Sequence, residues 1–135
     1  MCGIFGFTGN NRDLAKKLCS ILHHRGPDHK GIKEFKDLTL GFTRLAIQDI
    51  SSAGNQPMFD KEKNTCIVFN GEIYNFNEIK SDLLKKGYVF KSKTDTEVIL
   101  YSYLAYGEKC LSKFNGQFSF CIYDLKANVL FIGRD

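Results

Sequence analysis

Cys2-Gly3-Ile4-Phe5-Gly6-Phe7-Thr8 opens the chain as a short apolar run with two glycines in it. Its Ile and Phe residues suit a pleated, half-buried surface, so the run reads as a strand whose first residue is a cysteine. A strand at this position needs partners, and the next residues indicate where they come from. Asn11 can cap a helix on which Leu14, Leu18, Ile21 and Leu22 share one face, and Gly26-Pro27 stops it. Residues 31–36 and 38–46 then read as two strands joined tightly at Lys36-Asp37. In the second, Leu38, Leu40 and Phe42 alternate with Thr39, Gly41 and Thr43.

Residues 47–64 are rich in Ser, Asn, Gly, Gln and Lys and contain Pro57, which predicts a long loop of the kind that often carries function. Cys66-Ile67-Val68-Phe69 is a short buried strand that ends at Asn70-Gly71, a strong turn signal. Asn75 with Glu78 resembles a reciprocal cap for a helix carrying Phe76, Ile79, Leu83 and Leu84, which Gly87 ends. Thr94-Asp95-Thr96-Glu97 fits the capping box and opens a helix that closes at Gly107. In 117–123, Phe118, Phe120 and Ile122 face one way; Val129–Ile132 is a last strand. Strands outnumber helices and antiparallel neighbours dominate. The expectation is an α+β domain with sheet packed on sheet.

The 135 residues are enough for one core and too few for two ordinary domains. Twelve Phe and six Tyr agree with a β-rich interior. The formal charge is +4, but the lysines are dispersed, with Lys16-Lys17 and Lys85-Lys86 as the longest runs. No basic and aromatic stripe argues for nucleic acid as a partner. No apolar run approaches the ~18 residues that span a bilayer, and there is no signal-peptide pattern, so no membrane role is expected. Five cysteines without a C-x-x-C pair point to free thiols in a reducing compartment, the cytoplasm, and to no zinc site.

Several residues could carry chemistry. Removal of Met1 would leave Cys2 with a free α-amine. Such an amine titrates near ~7.7–8.0, below a thiol at ~8.5, so it can serve as general base to its own side chain. Asn70-Gly71 could offer a side-chain amide and a backbone N–H to an oxyanion, or could simply be a hairpin turn. Arg44 could grip a carboxylate through two parallel bonds, or could be an edge-strand charge. Asp95 could complement a helix dipole and Glu72 could be loop surface. His23, His24 and His29 read as a helix C-terminal turn.

Taken together and in order, these signals resemble the class II glutamine amidotransferase family, in its asparagine synthetase branch. The matching stretches are Met1–Gly6, His24-Arg25-Gly26-Pro27-Asp28, Gly41–Ile47, Gln56-Pro57-Met58, Phe69–Asn75, Thr94–Val98, Asn115–Phe120 and Gly133-Arg134-Asp135. The likeness spans essentially the whole chain. It implies the N-terminal nucleophile hydrolase fold, an αββα sandwich of two stacked antiparallel sheets flanked by helices. It also implies roles. Cys2 would attack the side-chain amide of glutamine, with Asn70 and Gly71 holding the oxyanion. Arg44 would pair with the α-carboxylate, Asp95 and Glu72 with the α-ammonium, and Leu45, Ile47 and Gln48 would add contacts.

No metal or cofactor is implied for glutamine hydrolysis; ATP and magnesium belong to a synthetase domain that would follow in cis or act in trans. Residues 1–135 would thus be the glutaminase domain, truncated at its C-terminus, since the chain stops at Asp135 directly after an apolar strand. The parent could be a homodimer. Two other readings stay open: a truncated non-catalytic module, or an amidotransferase domain serving another acceptor such as a cell-surface sugar.

Overall fold

The structure, a computed structural model, describes residues 2–47 and 49–135. In chain order its elements are β1 (Gly3–Thr8), α1 (Arg12–Ile21), β2 (His29–Glu34), β3 (Leu38–Arg44), β4 (Met58–Phe59), β5 (Thr65–Ile73), α2 (Phe76–Lys85), α3 (Asp95–Tyr106), β6 (Gly116–Asp124) and β7 (Val129–Arg134). Short 3-10 turns occupy Leu22–Arg25, Ser52–Gly54 and Gly107–Lys113.

The strands form two antiparallel sheets, ordered β1-β3-β2 and β4-β5-β6-β7. In the first, β3 is central: Gly3 pairs with Thr43 on one side and His29 with Arg44 on the other. In the second, β5 pairs with β6 from Thr65↔Asp124 to Ile73↔Gly116. Successive side chains of β5 point to opposite faces. Cys66 and Val68 meet Leu38, Leu40 and Phe42 of β3 between the sheets. Ile67, Phe69 and Ile73 pack outward against Ile79 and Leu83 of α2 and Val98–Tyr101 of α3. Helix α1 lies over β2 and β3 on the other outer face. The layers are therefore α, β, β, α, as expected.

Several local expectations are corrected. The alternation in β3 predicts one buried face, yet all seven residues are buried, because α1 and the turn after it cover the threonine side. Thr39 Oγ1 donates to the Gly9 carbonyl at 2.8 Å and Thr43 Oγ1 to that of Leu22 at 3.2 Å, which satisfies both hydroxyls. On α1 the buried residues are Ala15 and Cys19, while Leu14 and Ile21 are exposed; the small side chains let the helix sit close to the sheet. The Asn11 cap is present, its Oδ1 accepting from Leu14 N at 2.9 Å.

The other two caps differ. Asn75 starts α2 but its side chain turns away, donating to the Lys113 carbonyl at 2.9 Å and accepting from Asn115 N at 3.0 Å. Thr94 makes no side-chain cap on α3. Glu97 is buried and accepts instead from Lys91 N, Ser92 N and Ser92 Oγ, so it holds the chain that leads into the helix. Within the expected 47–64 loop, residues 49–64 hold a 3-10 turn and the β4 strand, and β2, β3 and β7 shift by two residues at one end or both.

Candidate active site

The Asn70-Gly71 dipeptide is not a turn. Strand β5 runs straight through it, with Asn70 opposite Ser119 and Gly71 opposite Phe118. Gly71 has φ of +150°, a conformation that side chains avoid, and a Cβ there would lie 2.2 Å from the Gln117 carbonyl oxygen.

Alternate N–H groups of a strand point to alternate edges. Tyr74 N, just past the strand, bonds the Asn115 carbonyl before β6 at 2.7 Å, so even-numbered positions face β6. The odd positions face the other way, where β4 is too short to reach. Side chains cap them instead: Gln56 Oε1 accepts from Phe69 N at 2.6 Å and Asp95 Oδ2 accepts from Ile73 N at 3.0 Å. Gly71 N–H lies between these two and faces a cavity of about 130 Å³.

That cavity is small beside the ~300–1,000 Å³ of pockets for drug-sized ligands. Cys2 lines it from the start of β1. Leu45 N approaches Cys2 Sγ at 3.4 Å, and Arg25 Nε donates to the Cys2 carbonyl at 3.0 Å. The end of β3 puts Arg44 at the wall, and the N-terminus of α3 puts Asp95 there. Leu45, exposed Ile47, Gly71 and exposed Glu72 complete the residues that the sequence singled out. Gln48 lies outside the described residues, as does Met1. Asn70 does not line this cavity. It borders an adjoining hollow with Gly71 and Gln117, and its Oδ1 is buried without a hydrogen-bond partner among the described residues.

Arg44 is not an edge-strand charge; it is 6% exposed. Its Nη1 donates to the Ser51 carbonyl and to Asn55 Oδ1, both at 2.7 Å, and its Nη2 donates to the Asp49 carbonyl. Three of its five donors therefore tie the 49–55 loop to the rim. Asp49 continues the tie on the far side, accepting from Lys93 N at 3.0 Å. The hydrogen bonds to Asp49 from Ser51 and Lys93 hold its carboxyl down at about 2. Asp95 goes the other way. Burial pushes it up to about 6, opposed by the bond from Ile73 N–H and assisted by the charge of Glu72. Burial also raises the thiols of Cys110 and Cys121, each to about 11, and those of Cys19 and Cys66. Buried thiols of that kind are inert. Cys2 and Cys121 are both half-buried, and of the five cysteines Cys2 is the one at the cavity wall.

A family model described as a glutamine amidotransferase domain matches residues 1–135. The chain belongs to that family. As a glutamine amidotransferase domain it is 38% identical, over all of its own length and 22% of the relative's, to glutamine-hydrolyzing asparagine synthetase 1 of Bacillus subtilis. It is 40% identical to a putative glutamine-hydrolyzing asparagine synthetase 2 of Methanocaldococcus jannaschii, covering all of this chain and 30% of that one. The amidotransferase domain thus spans between a fifth and a third of the length of these relatives. Among solved structures, a glutamine phosphoribosylpyrophosphate amidotransferase of B. subtilis superposes on 99% of this chain and 36% of its own, with a TM-score of 0.76 and 20% identity. That likeness shows the N-terminal nucleophile hydrolase fold.

Sequence reading missed some of the residues in and around this cavity. Arg25, Asp28, Asp49, Gln56 and Thr96 all support it, and Asp28 Oδ2 accepts from Ala46 N at 2.7 Å. Arg25, Asp28 and Gln56 stood in family-like stretches, but their partners lie 13 to 40 positions away, beyond any local periodicity. Among the described residues no group of His, Cys, Asp and Glu could hold a metal, and no helix is long and apolar enough to cross a membrane.

Proposed function

We propose that this domain hydrolyses glutamine to glutamate and ammonia with Cys2 as nucleophile. One observation carries the reading: a half-buried thiol shares a small cavity with Arg44, Asp95 and Glu72. A guanidinium and two carboxylates around one space fit the α-carboxylate and α-ammonium of an amino acid. A side-chain amide of that amino acid would then reach the thiol.

In this reading Met1 is removed and the terminal amine takes the thiol proton. The sulfur attacks the amide carbon, and Gly71 N–H meets the oxyanion, with the Asn70 amide as second donor. The C–N bond breaks and ammonia leaves with the proton from the amine. Water then cleaves the thioester and releases glutamate. The steps are redox-neutral acyl transfers, so thiol, amine and N–H donors suffice without a cofactor. Leu45, Ile47 and Gln48 add contacts along the substrate.

Residues 1–135 form the ammonia-supplying domain of a longer protein. The relatives, named as glutamine-hydrolyzing asparagine synthetases and several times longer, support a synthetase domain in cis. In this reading that domain would use ATP and magnesium for asparagine synthesis in the cytoplasm. A homodimeric parent is compatible with this reading.

The test is glutamate release from glutamine by the purified chain, with intact mass to report on Met1. Processed, folded protein that neither hydrolyses glutamine nor reacts at Cys2 with a glutamine-like electrophile would overturn the proposal.

A further inference from the structure

Gln56 has no role so far beyond the cavity wall, yet its side chain is used at both ends. It is 5% exposed. Oε1 accepts from Phe69 N at 2.6 Å, and Nε2 donates to Thr96 Oγ1 at 3.2 Å. Thr96 and Phe69 are themselves 3% exposed, so no water competes for either bond.

The two anchors are the elements that would bind opposite ends of the substrate. Phe69 N–H is on the same edge of β5 as Gly71 N–H, two residues before it. Thr96 follows Asp95 at the start of α3. Helix α3 is tied to β5 a second time by Asp95 itself, at Ile73 N. The Gly71 N–H therefore lies in a frame with two struts: Gln56 before it and Asp95 after it. The Gln56 backbone is held too. A Cβ at Gly31 would fall 1.9 Å from the Gln56 carbonyl oxygen, so β2 presses on it directly.

We infer that Gln56 is a positioning residue: it spans Phe69 N–H and Thr96 Oγ1 and fixes the distance between the oxyanion-binding edge of β5 and the ammonium-binding start of α3. This rests on the glutaminase reading. Its consequence is specific. Asp95 keeps its own anchor at Ile73 when Gln56 is lost, so the ground-state grip on the amino acid persists. The Gly71 N–H loses its register with the reacting carbon, where a displacement of about 1 Å can cost about 100-fold in rate.

The variants are Gln56→Ala and the isosteric Thr96→Val, which removes only the far end of the strut. Glutamine turnover is measured per site labelled by a glutamine-like electrophile, so unfolded protein does not count. The rate of Cys2 alkylation by iodoacetamide, a displacement that forms no oxyanion, is measured alongside. The expected result for Gln56→Ala is a kcat lower by about 10- to 100-fold, a KM within about threefold of wild type, and unchanged alkylation. In Thr96→Val kcat also falls, and the double variant is no worse than Gln56→Ala alone, because both cut one strut.

An unchanged kcat per labelled site in both variants, or additive losses in the double variant, would overturn the inference. So would a fall in alkylation equal to the fall in turnover, which would mark general damage to the site. If wild type turns over and both variants match its rate, only the strut is refuted. No turnover in wild type would remove the glutaminase reading and this one with it.

Discussion

Asp95→Asn should gain stability relative to wild type as pH rises, while it abolishes glutamine binding. Asp95 is 5% exposed, and burial, with Glu72 nearby, raises its carboxyl from 3.8 to about 6. A folded-state value above the unfolded one means that the native chain binds the proton more tightly. The stability from this group is full below the unfolded value and is lost as pH climbs through about 6. The whole loss amounts to roughly 3 kcal/mol at alkaline pH, and about half of that, near 1.4 kcal/mol, develops between pH 5 and pH 8. Asparagine has the same shape and no charge. Its carbonyl can still accept from Ile73 N–H, and any fixed cost of the substitution is the same at every pH.

The quantity to follow is therefore the difference in unfolding free energy between Asp95→Asn and wild type, from urea titrations at pH 5 and pH 8. It should move in favour of the variant by about 1–2 kcal/mol. Titrating groups that do not interact with Asp95 are common to both proteins and cancel; Glu72, which does interact with it, is ionised in both across this range in the unfolded chain and contributes little to the difference. Adding glutamine should stabilise wild type at pH 8 and leave the variant unmoved, because the ammonium needs the carboxylate that the folded chain resists ionising. A difference that stays constant between the two pH values would refute the reasoning, as would a variant that glutamine still stabilises.

Cys2→Ser should abolish glutamate release while circular dichroism and the urea midpoint stay near wild type, since the change is small and half-buried; retained turnover in Cys2→Ala would exclude the thiol mechanism. Gly71→Ala should cost more than about 2 kcal/mol of stability, read by urea unfolding, because its Cβ meets the Gln117 carbonyl at 2.2 Å at a φ of +150°. Arg44→Lys should raise KM for glutamine about 10- to 100-fold and speed proteolysis within 49–55, since one ammonium cannot replace the bonds to Ser51, Asn55 and Asp49. Glu97→Gln should destabilise by about 1–3 kcal/mol without a change in KM, because it removes acceptor capacity from Lys91 N and Ser92 N beside a buried helix.

The packing of sheet on sheet was legible from local patterning, and the αββα layer order from the family resemblance. The opening strand, the alternation at Phe118, Phe120 and Ile122, and the stripe of Ile79 and Leu83 each report one element and one buried face. Cys2, Arg44, Gly71 and Asp95 each stand in a short stretch of family-like sequence, and the structure brings all four to one cavity. Capping was misread at Thr94-Glu97 and at Asn75. The capping box is a local rule, and other bonds prevail over it once the helices are packed: from Ser92, five positions before Glu97, and over a longer range to Lys113 and from Asn115.

The sequence by itself therefore determined the fold class and the kind of most elements, the two-residue β4 excepted, and it singled out residue types that line the cavity. Periodicity and motif are properties of neighbouring positions, so they survive without a structure. Only the tertiary structure decided that Asn70-Gly71 continues a strand, that β3 is buried on both faces, and that Gln56 and Asp95 cap the same edge. The physical reason is that a β5 edge left unpaired by a two-residue β4 must satisfy its N–H groups from distant side chains. Which side chains arrive there depends on how sheet and helix stack. The same shortness of β4 leaves Gly71 N–H facing the cavity that Cys2 lines.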